Sequence, residues 1–150
     1  ANTPKNKAEM YSWLMFVATG IGPYCGQAVH FKHFAPEPKE YAVNRYDFEA
    51  WRHWLLINDH LTHQPYMIGN EYSLVDMSVW GWARVVPRVL GANAWEKLPH
   101  VNRLLDEINA RPAAQRAEAL QTKFSFKTEV DEDARKMLFP SNERLKAAGA

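Results

Sequence analysis

The strongest structural signal in this 150-residue sequence is segment 72–77, which reads Tyr-Ser-Leu-Val-Asp-Met. Ser73 carries the hydroxyl that a helix N-cap requires, and Asp76 falls at the third helical position, where its carboxylate can accept from the Ser73 amide and oppose the positive helix end. A serine beside an aspartate could also suggest hydrolase catalysis, but the capping box accounts for both side chains. The following residues, through Leu90, are apolar nearly all round the helix. The sequence therefore predicts a capped central helix, kinked near its end by Pro87.

Apolar residues spaced by three or four predict two long helices before this segment. The first begins near Lys7 and should bend or stop at residues 20–23, where two glycines weaken it and Pro23 removes a backbone donor. Residues 24–38 are harder to assign. The second helix is predicted over residues 41–60. It carries an additional apolar stripe, which indicates contacts on two sides, either within the domain or across a dimer. The stripe consists of Phe48, Trp51 and Leu55.

Prolines mark the helices that follow the capped segment. Pro99 and Pro112 each predict the start of a helix, because the first turn of a helix makes no internal bond with the backbone N–H that proline lacks. The helix after Pro112 should end near Leu120. Beyond Gln121 the chain becomes polar, with one short helix expected near its end. We find no internal repeat and no strand pair in the sequence. The predicted fold class is all-α: a bundle of about five main helices plus a C-terminal tail with a short helix.

Composition limits the functions that such a bundle can have. Apolar residues make up 47% and charged residues 23% of the chain, which suits one domain with one core. With 18 basic and 17 acidic residues the net charge is +1, so no overall field favours nucleic acid as a partner. No apolar run is long enough to span a membrane, and the single cysteine, Cys25, cannot form an internal disulfide. We expect a cytoplasmic protein that binds neither membrane nor nucleic acid.

Two segments are similar to sequence motifs of a known protein family. Residues 72–82 are Tyr-Ser-Leu-Val-Asp-Met-Ser-Val-Trp-Gly-Trp, and residues 110–117 are Ala-Arg-Pro-Ala-Ala-Gln-Arg-Ala. In the predicted helix order they resemble the capping-box and final-helix motifs of the C-terminal domain of glutathione transferases. Residues 22–27, 33–36, 41–46 and 131–139 resemble more specifically the bacterial Nu class and its fungal nitrogen-regulator relatives.

The resemblance implies a two-domain homodimer that uses glutathione or its disulfide as co-substrate and holds no metal. Its activity would be glutathione-dependent reduction of disulfides or peroxides, or conjugation of glutathione to electrophiles. In such proteins a thioredoxin-like N-terminal domain holds most of the glutathione and the polar group that stabilises its thiolate. We expect that domain to be absent from residues 1–150, which begin without methionine and show no βαβ pattern. We therefore expect no catalytic residue in this chain and almost no turnover by the chain alone.

A second interpretation of the same resemblance is a non-catalytic regulatory or protein-interaction module, as occurs among the fungal relatives. A polar residue near the glutathione sulfur, on the N-terminal domain, would favour the enzyme, and its loss would favour the module. A peptide- or nucleic-acid-binding bundle would need a basic stripe, which this sequence with balanced charges does not show.

The resemblance also nominates residues for the ligand sites. Arg45 matches a position where the Nu class is thought to place an arginine near glutathione, and a guanidinium fits a carboxylate through paired donors. Its alternative role is an ion pair with Asp47 or Glu49. The wall of the electrophile pocket is expected from five residues whose alternative role is ordinary packing. These residues are Tyr24, Gln27, His30, Phe31 and Trp80.

The cysteine and the histidines allow further chemistry that has a structural alternative. Cys25 is either a reactive thiol, free to form a mixed disulfide with glutathione, or a small buried hydrophobic residue. The pairs His30/His33 and His60/His63 have a spacing that can share a metal. No third ligand is in register with either pair, so the sequence favours histidines that pack beside aromatic rings.

Overall fold

The computed structural model describes residues 3–125, 127, 129–142 and 144, and the described chain is predominantly helical. The predicted all-α class is confirmed. Within these residues, β-type pairing is confined to two isolated bridges in the loop between the third and fourth helices. A π-helical segment, Val17–Ile21, joins the first two helices. The helices in chain order are α1 (Pro4–Phe16), α2 (Gly22–His33), α3 (Glu40–His60), α4 (Leu74–Ala83), α5 (Val86–Leu90), α6 (Ala94–Lys97), α7 (Pro99–Asn109), α8 (Pro112–Lys123) and α9 (Glu132–Leu138).

The interruption predicted at residues 20–23 takes the form of the π-helical segment. The Gly22 amide donates to the Val17 carbonyl, five residues back, so one extra residue is accommodated in the turn. Pro23 then stands in the first turn of α2. The helix continues to His33 and covers much of the stretch that the sequence could not assign. Packing of α2 along α3 supplies the stabilisation that its weak periodicity did not reveal.

Helix α4 begins with the capping box. Ser73 Oγ accepts from the Val75 amide at 3.2 Å, and Asp76 Oδ2 accepts from the Ser73 amide at 2.7 Å and from the Ser73 hydroxyl at 2.8 Å. Asp76 is fully buried, and its other oxygen accepts from the Met67 amide at 2.8 Å. One carboxylate thus caps α4 and anchors the loop that precedes it.

The expectation that this central helix is buried on nearly all sides is wrong. Leu74 and Met77 are exposed, because α1 and α7 cover only part of the circumference of α4. Pro87 also acts differently from the prediction. The helix ends at Ala83, and Pro87 stands in the first turn of α5 instead of kinking one longer helix. The buried side of α4 consists of Val75, Asp76, Val79 and Ala83.

The helix that starts at Pro99 buries an apolar face against α3 and α4. Its first amides are capped by a residue distant in sequence: Asn58 Oδ1 on α3 accepts from the amides of His100 at 2.9 Å and Val101 at 3.3 Å. Trp54 on α3 is the largest fully buried side chain of the core. The buried face of α7 consists of Val101, Leu104, Leu105 and Ile108.

The short tail helix α9 lies against the end of α2. The ring centroid of Phe139 is 4.9 Å from that of His30 and 5.3 Å from that of Phe34. Arg135 on α9 donates to the Phe34 carbonyl at 3.5 Å. The tail therefore adds side chains to the region where the first part of the bundle presents its aromatic residues.

Candidate functional site

Aromatic rings from α2 and α3 form a continuous row, which we call the aromatic row: Phe31, Tyr46, Tyr24 and His53. Phe31 and Tyr46 are stacked with ring centroids 5.5 Å apart and an interplanar angle of 7°. Tyr24 lies 6.4 Å from Tyr46 and 4.9 Å from His53, centroid to centroid. The structure thus brings two of the five predicted pocket residues, Tyr24 and Phe31, into one neighbourhood.

His53 is a buried imidazole at the inner end of this row. Its ring is flanked by Tyr24 and by Phe16, whose centroid is 5.0 Å away. Nδ1 is 2.7 Å from the backbone oxygen of Glu49. Because only a protonated nitrogen can donate to a carbonyl, the Nδ1 hydrogen points toward that oxygen. The bond to Glu49 and the two flanking rings hold the imidazole in one orientation.

Gly20 is what allows His53 to lie so close to the first helices. A Cβ atom at Gly20 would stand 2.5 Å from Cδ2 and 2.6 Å from Nε2 of His53, distances that no real Cβ tolerates. The residue lies within the π-helical segment, and such segments often occur at functional sites. A glycine and a helix irregularity therefore coincide at the buried histidine.

Glu49 holds two arginines on α3, and we call these three residues the arginine clasp. Arg45 Nη1 donates to Glu49 Oε1, while Arg52 donates to Oε2 from Nε and from Nη2, each at 2.8 Å. The bond from Arg45, followed by that from Arg52, lowers the pKa of Glu49 below its ordinary value. Glu49 is only 6% exposed, whereas the side chains of Arg45 and Arg52 are 48% and 51% exposed. The clasp can offer guanidinium donors to an anion.

The ion pair of Arg45 with Glu49 is the structural role that the sequence had left open for this arginine. Arg45 borders the aromatic row, because it precedes Tyr46 in the chain and because its partner Glu49 is bonded through the backbone oxygen to His53. The pair uses one terminal nitrogen of the guanidinium, which has further donors. The proposed contact of Arg45 with glutathione stays a prediction.

The remaining pocket candidates lie in different surroundings. His30 packs edge-on against Phe31 at 5.2 Å, beside the tail residue Phe139. Gln27 is exposed on α2. Trp80 makes its contacts elsewhere: its Nε1 donates to Asn109 Oδ1 on α7 at 2.8 Å. His30 therefore joins the neighbourhood of the aromatic row, and Trp80 packs toward α7.

An open cleft of about 620 Å³ adjoins the outer end of the aromatic row. Phe31 and Arg135 contribute to its walls, together with the loop between α2 and α3. Lys32 lines the same cleft, donates to the Val89 carbonyl at 2.5 Å and pairs with Asp47. Because Lys32 is engaged by both of these contacts, Lys39 and Arg135, which also line the cleft, are its more available cations.

Cys25 is fully buried, and the Trp54 indole nitrogen donates to its Sγ at 3.3 Å. Burial raises the pKa of the Cys25 thiol to about 11, although the bond from Trp54 acts in the opposite direction. A thiol that is neutral and enclosed is a poor nucleophile. The geometry favours the structural role over the reactive one.

The paired histidines are engaged with other groups. His33 Nε2 lies 3.2 Å from the Arg88 carbonyl oxygen, and His60 Nε2 lies 2.9 Å from that of Met67. Among the residues that the structure describes, no group of three or more His, Cys, Asp or Glu could hold a metal ion. In the same part of the chain, no helix combines the length and the apolar character needed to cross a membrane.

A second, apolar groove of about 720 Å³ runs between α1 and α4. Met15, Met77 and Val85, which are exposed, contribute to it. Gly81 and Trp82 also line it. This groove is the reason that α4 is less enclosed than the sequence predicted.

Sequence reasoning missed two residues of this region, His53 and Arg52, and it named Glu49 only as one of two possible ion-pair partners of Arg45. One signal was present, since Arg45, Glu49 and Arg52 follow the i, i+4 and i+7 spacing at which a central acid can pair with two arginines on a helix. For His53 the only hint was Gly20 within a helical pattern, which pointed to a break and not to a partner on another helix.

Comparison with known proteins identifies relatives for most of the chain. Residues 17–112 match the family model described as glutathione S-transferase, C-terminal domain. The disulfide-bond oxidoreductase YfcG of Escherichia coli is 32% identical over 120 residues, covering 75% of this chain and 52% of that protein. A glutathione S-transferase domain-containing protein of Dictyostelium discoideum is 35% identical over 113 residues, covering 75% of this chain and 44% of its own length. This chain spans about half the length of the curated relatives that it matches.

Among solved structures, the glutathione transferase URE2P6 of Phanerochaete chrysosporium in complex with oxidized glutathione superimposes with a TM-score of 0.76. The two sequences are 26% identical, and the match covers 83% of this chain and 57% of the other.

Proposed function

Because this chain matches the C-terminal domain of the glutathione S-transferase family, it belongs to that family, and from this premise we propose that it is the helical half of a glutathione-dependent enzyme. The enzyme reduces disulfides or peroxides, or conjugates glutathione to electrophiles. This half contributes Arg45 to the glutathione site, an aromatic wall to the second-substrate pocket, and a dimer surface. It works in the cytoplasm, where glutathione is kept reduced.

The observation that carries the proposal is the adjacency of the arginine clasp and the aromatic row. A cationic group that can receive a carboxylate lies beside the rings of Tyr24, Tyr46 and Phe31, of which the last two are stacked, and such rings suit an apolar substrate. The names of the relatives add support, because YfcG is a disulfide-bond oxidoreductase and URE2P6 was solved with oxidized glutathione.

Disulfide reduction is the reaction that we favour. Two glutathione molecules and one substrate disulfide give glutathione disulfide and two substrate thiols, so each glutathione loses one electron and one proton. The thiolate that begins this exchange is that of glutathione. Cys25 takes no part, because its thiol is buried and its pKa is raised to about 11.

We propose that a thioredoxin-like domain precedes this one in the intact protein and packs on the apolar groove between α1 and α4. Met15 and Met77 leave apolar surface open there, and surfaces of this kind usually have a partner. The curated relatives are about twice as long as the matched region, which leaves room for such a domain.

The test is calorimetric titration of the intact protein with glutathione and with glutathione disulfide, followed by a disulfide-reduction assay. We expect saturable binding, turnover of a small alkyl disulfide, and about tenfold weaker binding by Arg45→Gln, since a bond to a charged group is lost. Arg116→Gln, which removes the same charge from an exposed position on α8, is the control and should bind like the wild type.

Binding without turnover of disulfide, peroxide or electrophile would identify a regulatory module in place of an enzyme. Failure of the wild type to take up either ligand at millimolar concentration would refute both versions of the proposal.

A further inference from the structure

Glu49 is a buried carboxylate in an unusual position for a helix surface pair. Ion pairs at i, i+4 and i, i+3 are common on helices, but their acid is ordinarily solvated. Here the acid is 6% exposed, and each of its oxygens is bound by a different arginine. The two guanidinium groups are therefore held toward the same point although their Cα atoms are about two turns apart on α3.

The inner side of Glu49 is fixed as well. His53 Nδ1 lies 3.8 Å from Glu49 Oε2 and bonds to the Glu49 carbonyl oxygen at 2.7 Å. The imidazole is in turn enclosed by the rings of Phe16 and Tyr24 and by the closely approaching Gly20. The contacts with His53 thus fix the position of the Glu49 side chain, and Glu49 in turn fixes the positions of both arginines.

The clasp keeps donors and positive charge available. Two arginines and one carboxylate leave a net charge of +1. Each guanidinium has five N–H donors, of which Glu49 uses only some, and both side chains are about half exposed. A pre-positioned pair of this kind suits a ligand with several carboxylates, since the entropy of ordering two long side chains has already been spent on folding.

We propose that Arg52 is a second carboxylate-binding residue beside Arg45, and that Glu49 is the positioning residue for both. The ligand class is a small peptide with two or more carboxylates. Glutathione has two and its disulfide four, so the inference rests on the proposed function and extends it to residues that the family resemblance did not nominate.

Three variants of the intact protein test the inference by calorimetric titration with glutathione disulfide. Arg52→Gln should weaken binding about tenfold, as expected for a lost bond to a charged group. Glu49→Gln is the sharper variant, because removal of a negative charge should by electrostatics alone strengthen the binding of an anion. If Glu49 positions the arginines, Glu49→Gln binds several-fold more weakly instead. Arg116→Gln serves again as the charge control.

Urea unfolding of each variant shows whether the fold is retained. If Glu49→Gln does not fold, Glu49→Asp keeps the charge but withdraws the carboxylate from the arginines by one methylene, and it should show the same loss of affinity. Unchanged or tighter binding by the folded Glu49 variant, or wild-type binding by Arg52→Gln, would overturn the inference. In either case the effect of Arg45→Gln would persist and the proposed function would stand, whereas absence of wild-type binding would remove both.

Discussion

At the scale of single residues, the close approach of Gly20 and His53 explains how the π-helical segment can lie against α3. A side chain at residue 20 would overlap the imidazole, and the imidazole cannot move freely because Glu49 and two rings hold it. At Gly26, which lies in the following helix α2, a Cβ atom would have nothing within 4 Å. Only the first of these glycines is required by packing; the second is tolerated in an exposed turn of α2.

The Cys25 thiol provides a residue-scale prediction about pH. A pKa raised from its ordinary value of 9.0 to about 11 leaves about 100-fold less thiolate at neutral pH than a free cysteine has. Since the thiolate is the reactive form, labelling by a soluble disulfide reagent should be slow at pH 8 and should accelerate about tenfold per pH unit toward pH 11.

The urea-unfolded chain is the reference for this experiment, because its thiol has an ordinary pKa. The expected order is fast labelling of the unfolded chain and slow labelling of the folded one. Rapid labelling of the native protein near pH 7 would show that Cys25 is accessible and would reopen its reactive role.

At the scale of elements, Asp76 illustrates how one side chain can set both a helix start and a loop. It accepts from Ser73 and, at 2.8 Å, from the Met67 amide while fully buried. Asp76→Asn replaces one carboxylate oxygen with an NH₂ group, so one of these backbone N–H donors would lose its acceptor. We expect a loss of about 2–3 kcal/mol in the free energy of unfolding, measured by urea denaturation.

Two variants calibrate the Asp76 result. Ser73→Ala removes only the hydroxyl of the cap and should cost about 1 kcal/mol. Ser78→Ala, on the same helix, removes a hydroxyl that bonds locally to the Leu74 carbonyl and should change stability by less than about 0.5 kcal/mol. A cost for Asp76→Asn no larger than that of Ser78→Ala would contradict the anchoring role.

At the scale of the whole molecule, the apolar stripe on α3 supports our proposal of a homodimer. Phe48 and Leu55 are 62% and 45% exposed, and Trp51 lies between them along the helix. The stripe is about a quarter turn away from the clasp residues around α3, so dimer formation and anion binding can occur together. A two-fold axis would bring the same stripe of both copies into contact.

Substitution of the most exposed ring of this stripe should separate the copies. In sedimentation experiments on the intact protein we expect the wild type to be a dimer and Phe48→Glu to be a folded monomer, because two carboxylates would be buried against each other. Met137→Glu introduces the same charge at an 83% exposed residue of α9 and should leave the dimer intact. A Phe48→Glu protein that still sediments as a dimer would place the interface elsewhere.

The sequence by itself determined the position of several helices, although it left most of α2 unassigned. Apolar periodicity predicted α1 and α3, prolines marked the starts of α7 and α8, and the Ser73–Asp76 pair marked the start of α4. These features depend on neighbours within one or two helical turns, so local sequence contains them. The family motifs were readable for the same reason.

Only the tertiary structure decided how those segments meet. The cap of α7 comes from Asn58 on another helix, the open side of α4 results from what α1 and α7 leave uncovered, and the buried His53 depends on Gly20 across a helix interface. For the site, the sequence nominated Arg45, Tyr24 and Phe31 and offered Glu49 as one partner of Arg45, but it did not place Arg52 and His53 at the same acid. Contacts between residues distant in the chain leave no periodic trace in a single sequence, since burial and partnership arise only when the helices pack.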